Sequence, residues 1–410
     1  MHRRRAVLAT VASGVTATLA GCGGESSAAD TATPTSDGTP TSEETPTIDA
    51  VDEAFPQFQY DAENSGSVPD VRGPTGDVGP AFEFGGGGVE SGHQLGSPTL
   101  ADGTVYVAEG TIDDNDEAET VVYALDGVDG SVVWEQSYGE TNGAGQTAVT
   151  DDVVLAVVSG MVVGLDRSTG EKLWSVSRDL DSGIAVADGS VYVAGSTIDE
   201  RRVFSLSVAD GTVQWQTDID AEYYFPTPAV ADGTVYVGGR TLQALDAETG
   251  EERWAASPQA TVTAPPTVVD DTVVVGGEDT LRAYARSDGT EQWAAEVTGY
   301  SANGGATVTH SPAVAGDQVH VVAAWGLSAY DLETGERRYT TETGLDGTPV
   351  VADGHLYVPG LGELACFSTA DGSEVWRYGT DQSSGAGNRA PAVVDGVAYF
   401  PAEKLYAMTV

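Results

Sequence analysis

Tryptophan recurs along this chain with a period that few folds can satisfy. Trp134, Trp174, Trp215, Trp254 and Trp293 stand 40, 41, 39 and 39 residues apart. Tyr339 follows 46 residues later in the same local context, and Trp376 comes 37 after that. A turn precedes each one: Asp129-Gly130, Thr169-Gly170, Asp210-Gly211, Thr249-Gly250, Asp288-Gly289, Thr334-Gly335 and Asp371-Gly372. Before each turn sits a short apolar run such as Tyr123-Ala124-Leu125-Asp126 or Gln243-Ala244-Leu245-Asp246. A second motif alternates with the first. Pro98-Thr99-Leu100-Ala101-Asp102-Gly103-Thr104-Val105-Tyr106-Val107 is echoed at 228–237, with weaker copies elsewhere. Asp-Gly between β-branched and aromatic runs signals a hairpin, because Gly takes positive φ without steric cost. Helical periodicity is lacking in this region. Four short strands in about 40–45 residues is the size of a propeller blade.

First halves of the unit begin near residues 98, 148, 184, 228, 266, 312, 349 and 391, which predicts eight blades. The last unit stops at Ala407-Met408-Thr409-Val410, without its turn and outer strand. Ala81-Phe82-Glu83-Phe84 has the aromatic character to supply that strand from the other end of the domain. The expectation is an all-β, eight-bladed propeller of four-stranded blades over residues 51–410, its ring closed by an N-terminal strand.

The chain carries 63 Asp and Glu against 18 Lys and Arg, a formal charge of −45. Phosphates would be repelled, so nucleic acid is not an expected partner. The acid is spread over nearly every loop, which fits adaptation of a whole surface to high salt. Its strong excess, with Lys only at Lys172 and Lys404, resembles haloarchaeal proteins. Cys22 and Cys366 are the two cysteines and cannot build a disulfide framework. The histidines show no metal-ligand spacing, so neither metal nor cofactor is expected.

At the N-terminus Arg3-Arg4-Arg5 precedes an uncharged run from Ala6 to Ala20, too short for an ordinary membrane span. Arg4-Arg5-Ala6-Val7-Leu8 resembles a twin-arginine export signal, and Leu19-Ala20-Gly21-Cys22 resembles a lipobox. These resemblances imply a signal peptide over 1–21, cleavage before Cys22 and a lipid on its thiol. Residues 22–50 then read as a disordered acidic linker rich in Ser, Thr and Pro. The expected address is the cell surface, anchored to the outer face of the cytoplasmic membrane.

The Ala244-Leu245-Asp246-Ala247-Glu248-Thr249-Gly250 pattern running to Trp254 resembles the pyrroloquinoline-quinone-like repeat. The opening Phe55-Pro56-Gln57-Phe58, with Asp61, Asn64 and Gly66, is similar to the start of exported propellers of this type. The resemblance implies that Trp134, Trp174, Trp215, Trp254, Trp293, Tyr339 and Trp376 lock blade to blade. Aromatic burial makes that role physically reasonable. The strand-end Asp and the turn Gly then serve as turn formers. Quinone-dependent alcohol dehydrogenases share these repeats and imply a second reading, an oxidoreductase acting on alcohols or sugars. They are much longer, and many carry two adjacent Cys where this chain has Cys366 alone. The lipid-anchored outer-membrane assembly propellers of Gram-negative bacteria are also similar, and imply a non-catalytic scaffold.

Long crossings between blades, at 139–146, 297–312 and 380–391, are where ligands of propellers commonly sit. Candidate binding residues are Tyr223, Tyr224, Tyr300, Asn303, His310, Trp325 and Arg389; Trp325 stands outside the repeat register. Tyr, Trp, Asn and Arg together suit a protein or carbohydrate partner. Catalytic arrangements of the Ser-His-Asp, paired-carboxylate or phosphate-loop kind do not stand out, and a monomer is expected.

Overall fold

The computed structural model describes residues 45–410, apart from the segments 86–93, 113–117, 140–143, 197–200, 222–224, 298–306 and 381–388 and residues 179, 181 and 259. Tyr223, Tyr224, Tyr300, Asn303 and Cys22 lie outside the described residues.

Eight sheets make the blades, each with four antiparallel strands and two of them with a short fifth strand, and no helix occurs among the described residues. The fourth blade shows the plan. Its strands are Ala229–Ala231, Thr234–Val237, Leu242–Asp246 and Glu252–Ala256, running from the axis outwards. Composition follows radius. Innermost strands are short and rich in Ala and Val because eight of them converge. Second and third strands are buried on both faces and read as near-continuous apolar runs. Outer strands alternate exposed and buried positions, as in Val213–Asp218.

Local chemistry sets both turn types. At Asp232-Gly233 the φ angles are 43° and 70°, the pair that a tight hairpin between right-twisted strands requires. At the turn before the outer strand, Asp246 Oδ1 accepts from the Glu248 and Thr249 amides and from Thr249 Oγ1 at 2.9–3.0 Å. The Asp is a turn former, and its carboxyl is held down to about 2, first by Arg253 and then by these Thr249 contacts.

Blades lock through the repeat aromatics. The Trp215 indole lies over Gly250 of the next blade, where an added Cβ would come within 2.6 Å of the ring. Its Nε1 donates to the Ala247 carbonyl at 2.9 Å. The same donation links Trp134 to Arg167, Trp174 to Val208, Trp254 to Arg286 and Trp293 to Leu332. Trp376 has no such turn ahead of it, because the chain ends in the next blade; it donates instead to the Pro74 carbonyl at 2.7 Å. Tyr339 keeps the ring position over Gly372, but its hydroxyl meets His320 Nδ1 at 3.2 Å. His320 takes the place held in other blades by Tyr106, Tyr192, Tyr236, Tyr357 or Tyr399. It is fully buried with its Nε2 unpartnered, and burial pushes its pKa down to about 4.

The ring closes as the sequence predicts. Gly79–Phe84 pairs antiparallel with Leu405–Thr409, Phe84 opposite Leu405 and Phe82 opposite Ala407. The last blade therefore mixes strands from both ends of the domain. Phe82 does there what Trp does elsewhere: its ring lies over Gly130 of the first blade.

Candidate functional site

Blade geometry gives the ring two faces. One carries the Asp-Gly turns and the turns before the outer strands; we call it the turn face. The other carries the hairpins between second and third strands and the crossings from blade to blade; we call it the crossing face.

A ring of blades leaves the innermost edge of each sheet with unpaired backbone groups facing the axis. Residues 52–72 satisfy them. This strap starts at the turn face, where the Asp52 and Glu53 amides donate to the Asp395 carboxylate at 2.7 and 2.8 Å. It then visits the blades in order. Phe55 exchanges two hydrogen bonds with Leu100, and the Pro56 carbonyl takes the Val149 amide. Gln57 pairs with both backbone groups of Val186 through its side-chain amide. The carbonyls of Ala62, Glu63, Ser65 and Gly66 take the amides of Val230, Val268, Val314 and Val351. Ser67–Val68 adds a short parallel pairing with Val350–Ala352, and the Arg72 carbonyl takes Gly396 of the last blade.

Within the strap, Asn64 Nδ2 donates to the carbonyls of Pro228 and Pro266 at 3.1 Å and to Thr227 at 3.5 Å. Gly66, at φ +62°, runs so close to Ala313 that a Cβ would come within 2.9 Å of it. Asp61 is largely buried and accepts from the Ser65 amide at 2.8 Å and from its hydroxyl. Burial outweighs these contacts and lifts the Asp61 carboxyl to about 6.

On the crossing face the expected binding residues divide. His310 is buried, 4% exposed, and its Nε2 meets Asp346 Oδ1 at 3.0 Å. That pair joins the approaches to two neighbouring inner strands, so His310 does not face solvent. Arg389 is also largely withdrawn, and burial lowers its guanidinium to about 10. Both stand just before an inner strand, Ala313–Ala315 and Ala392–Val394. Trp325 differs: it is 42% exposed. It sits at the tip of a second-to-third-strand hairpin, Gln318–Ala323 to Gly326–Asp331, and not in a blade crossing over the channel. Ala324 and Trp325 both have positive φ, 46° and 69°, in a turn that ordinarily calls for Asn-Gly. The equivalent hairpin of the next blade exposes Leu361, 50% accessible.

The strap and Leu361 were not recognised from sequence as site features. Comparing the eight second-to-third-strand hairpins would have singled out Leu361, whereas Trp325 stands out by lying outside the repeat Trp register.

The dehydrogenase resemblance implies calcium and a quinone; among the described residues, no three His, Cys, Asp or Glu side chains come together around a common point. Cys366 is buried in the blade core opposite Trp376, and burial pushes its thiol up to about 12.

The sequence profile of the outer membrane protein assembly factor BamB family matches this chain over 83–177, 158–378 and 326–408. BamB of Salmonella typhimurium is 32% identical over 111 residues, covering 22% of this chain and 27% of that protein. BamB of Yersinia pestis is 32% identical over 153 residues, covering 32% of this chain and 38% of that protein. These alignments therefore span well under half the length of the curated relatives. Among solved structures, BamB from Moraxella catarrhalis superposes with a TM-score of 0.62 at 19% identity, over 81% of this chain and 100% of that one. The quinohemoprotein alcohol dehydrogenase of Comamonas testosteroni gives 0.68 at 14% identity, over 87% of this chain and 80% of that one. At such identities the structural likeness speaks to the fold alone.

Proposed function

Since the chain belongs to the outer membrane protein assembly factor BamB family, we propose that it is a non-catalytic scaffold that binds a partner through its crossing face. The observation that carries this reading is the strap. It bonds in turn to all eight blades, from Phe55 on the first to Arg72 on the eighth, so the inner side of the ring is taken up by the chain itself and the crossing face is left to a partner. Leu19-Ala20-Gly21-Cys22 supports a lipid on Cys22 and display on the outer face of the cytoplasmic membrane. The acid excess suits service in high salt. The partner we favour is a protein, because the relatives are outer membrane protein assembly factors.

The test places a photo-crosslinking amino acid at position 361 or at position 233 of the full chain in its native membranes. Adducts from 361 and none from 233 are expected. Adducts from 233 alone would reverse the assignment of faces, and none from either would remove the scaffold reading. A second arm adds pyrroloquinoline quinone, calcium and a primary alcohol. No dye reduction is expected, and turnover would reinstate the oxidoreductase.

A further inference from the structure

Two neighbouring hairpins on the crossing face present large apolar side chains to solvent, Trp325 and Leu361. A continuous set of contacts joins them. The Trp325 carbonyl accepts from the Thr343 and Gly344 amides and from Thr343 Oγ1. The Thr343 carbonyl accepts from Arg377 Nη2 at 2.9 Å, and Arg377 Nη1 reaches Glu363 at 2.8 Å. The Glu363 carbonyl takes the Gly360 amide beside Leu361. Beneath, buried Leu345 packs so closely on Gly360 that a Cβ there would come within 2.6 Å of it. The two apolar tips thus stand on one braced platform.

Their backbone conformation adds to the case. A bulky residue at φ +69° next to Ala at φ +46° is strained, and Gly would relieve it. Strain retained beneath an exposed Trp is the pattern of a side chain kept for contact and not for stability. The charges around the platform indicate what would lie on it. Glu342, paired in register with Gly326, joins Asp346 and Glu363 around the platform, where the only guanidinium in the contact chain is that of Arg377, paired with Glu363. Anionic lipid headgroups would be repelled. A sugar stacked on Trp325 would find an aliphatic Leu, which offers it no hydrogen bond. An apolar segment with cationic neighbours satisfies both tips and the acidic surround.

We propose that Trp325 and Leu361 are the two anchors of a docking surface for an apolar polypeptide segment flanked by Lys or Arg. This rests on the scaffold reading and names the chemistry of its partner. The experiment pans a random dodecapeptide phage library on the immobilised full chain and measures the winners by fluorescence anisotropy. Enrichment of aromatic or aliphatic residues flanked by Lys or Arg is expected, with affinity that falls as salt is raised. Trp325→Gly and Leu361→Ala should each weaken binding by about tenfold or more, as loss of an apolar anchor commonly does. Trp325→Gly should unfold at or above the wild-type temperature, which separates lost contact from lost folding. No enriched sequence, polar or acidic winners, or winners that bind both variants as tightly as wild type would overturn the proposal. If crosslinks from position 361 to a membrane partner persist in the Trp325→Gly chain, the scaffold reading stands and this one falls.

Discussion

The seams between blades and the strap along the axis hold the same ring by opposite means. A seam repeats one device: an aromatic ring over a turn glycine, most often with an indole N–H on the carbonyl beside it. The strap repeats nothing. It spends a different residue on each blade, mostly through backbone carbonyls, with Gln57 and Asn64 adding side-chain amides. A seam therefore concentrates stability in one large side chain, whereas the strap spreads it over many single hydrogen bonds.

The comparison predicts a gradient of mutational cost. Trp254→Ala removes a mostly buried indole and should cost about 3–5 kcal/mol in thermal unfolding measured at high salt. Trp254→Phe keeps a ring over Gly289 and should lose only the bond to Arg286, about 1 kcal/mol. A Phe variant as damaging as the Ala variant would show that the indole bond, not burial, holds the seam.

The seam at Tyr339 should be sensitive to acid. His320 is neutral when folded, with its pKa depressed to about 4, and regains an ordinary value when unfolded. Its contribution is present above pH 6.5 and is lost as pH falls towards 4, on the order of 3 kcal/mol in all. His320→Tyr, which installs the residue of five other blades, should remove that part of the acid sensitivity. The strap should respond with opposite sign. Asp61 has its carboxyl raised to about 6, so its contribution is complete below pH 4 and is lost as pH rises through 6. Asp61→Asn should be more stable than wild type at pH 7 and lose that advantage near pH 4. Paired pH–stability curves for the two variants check both signs.

Asn64→Ala strips donors from three carbonyls and should cost about 1–3 kcal/mol, less than Trp254→Ala. The smallest effect belongs to Gly233→Ala. Its φ is +70°, but a Cβ would meet nothing within 4 Å, so only the backbone penalty of about 1 kcal/mol remains. Gly250→Ala has nearly the same φ and adds the overlap with Trp215, so it should cost clearly more.

Seams were legible in the sequence because a repeated device leaves a period. Even the substitute Phe82 could be placed, since Ala81-Phe82-Glu83-Phe84 stands where the missing outer strand was needed. The strap was only half legible. Asp61, Asn64 and Gly66 could be picked out, but carbonyls that each serve one blade leave no pattern. Positive φ at Gln59, Tyr60 and Asn64 falls on residues that do not announce it. His320 was readable in principle, by aligning it with Tyr106 and Tyr236. On the candidate site, exposure was the weak point. Composition singled out His310, Arg389 and Trp325 alike, and only burial separates the two withdrawn residues from the exposed one.

The strap also changes what a cut in the chain would do. In a ring held only by neighbour contacts, cleavage in a crossing frees two ends that can swing apart at a seam. Here each blade is also tied to a common spindle, from Phe55 on the first blade to Arg72 on the eighth. A protease that nicked one crossing would leave two fragments still pinned to the same twenty-odd residues. Removing the spindle itself would instead loosen all eight blades at once. The resilience of this ring against surface damage thus resides in its most interior segment of chain.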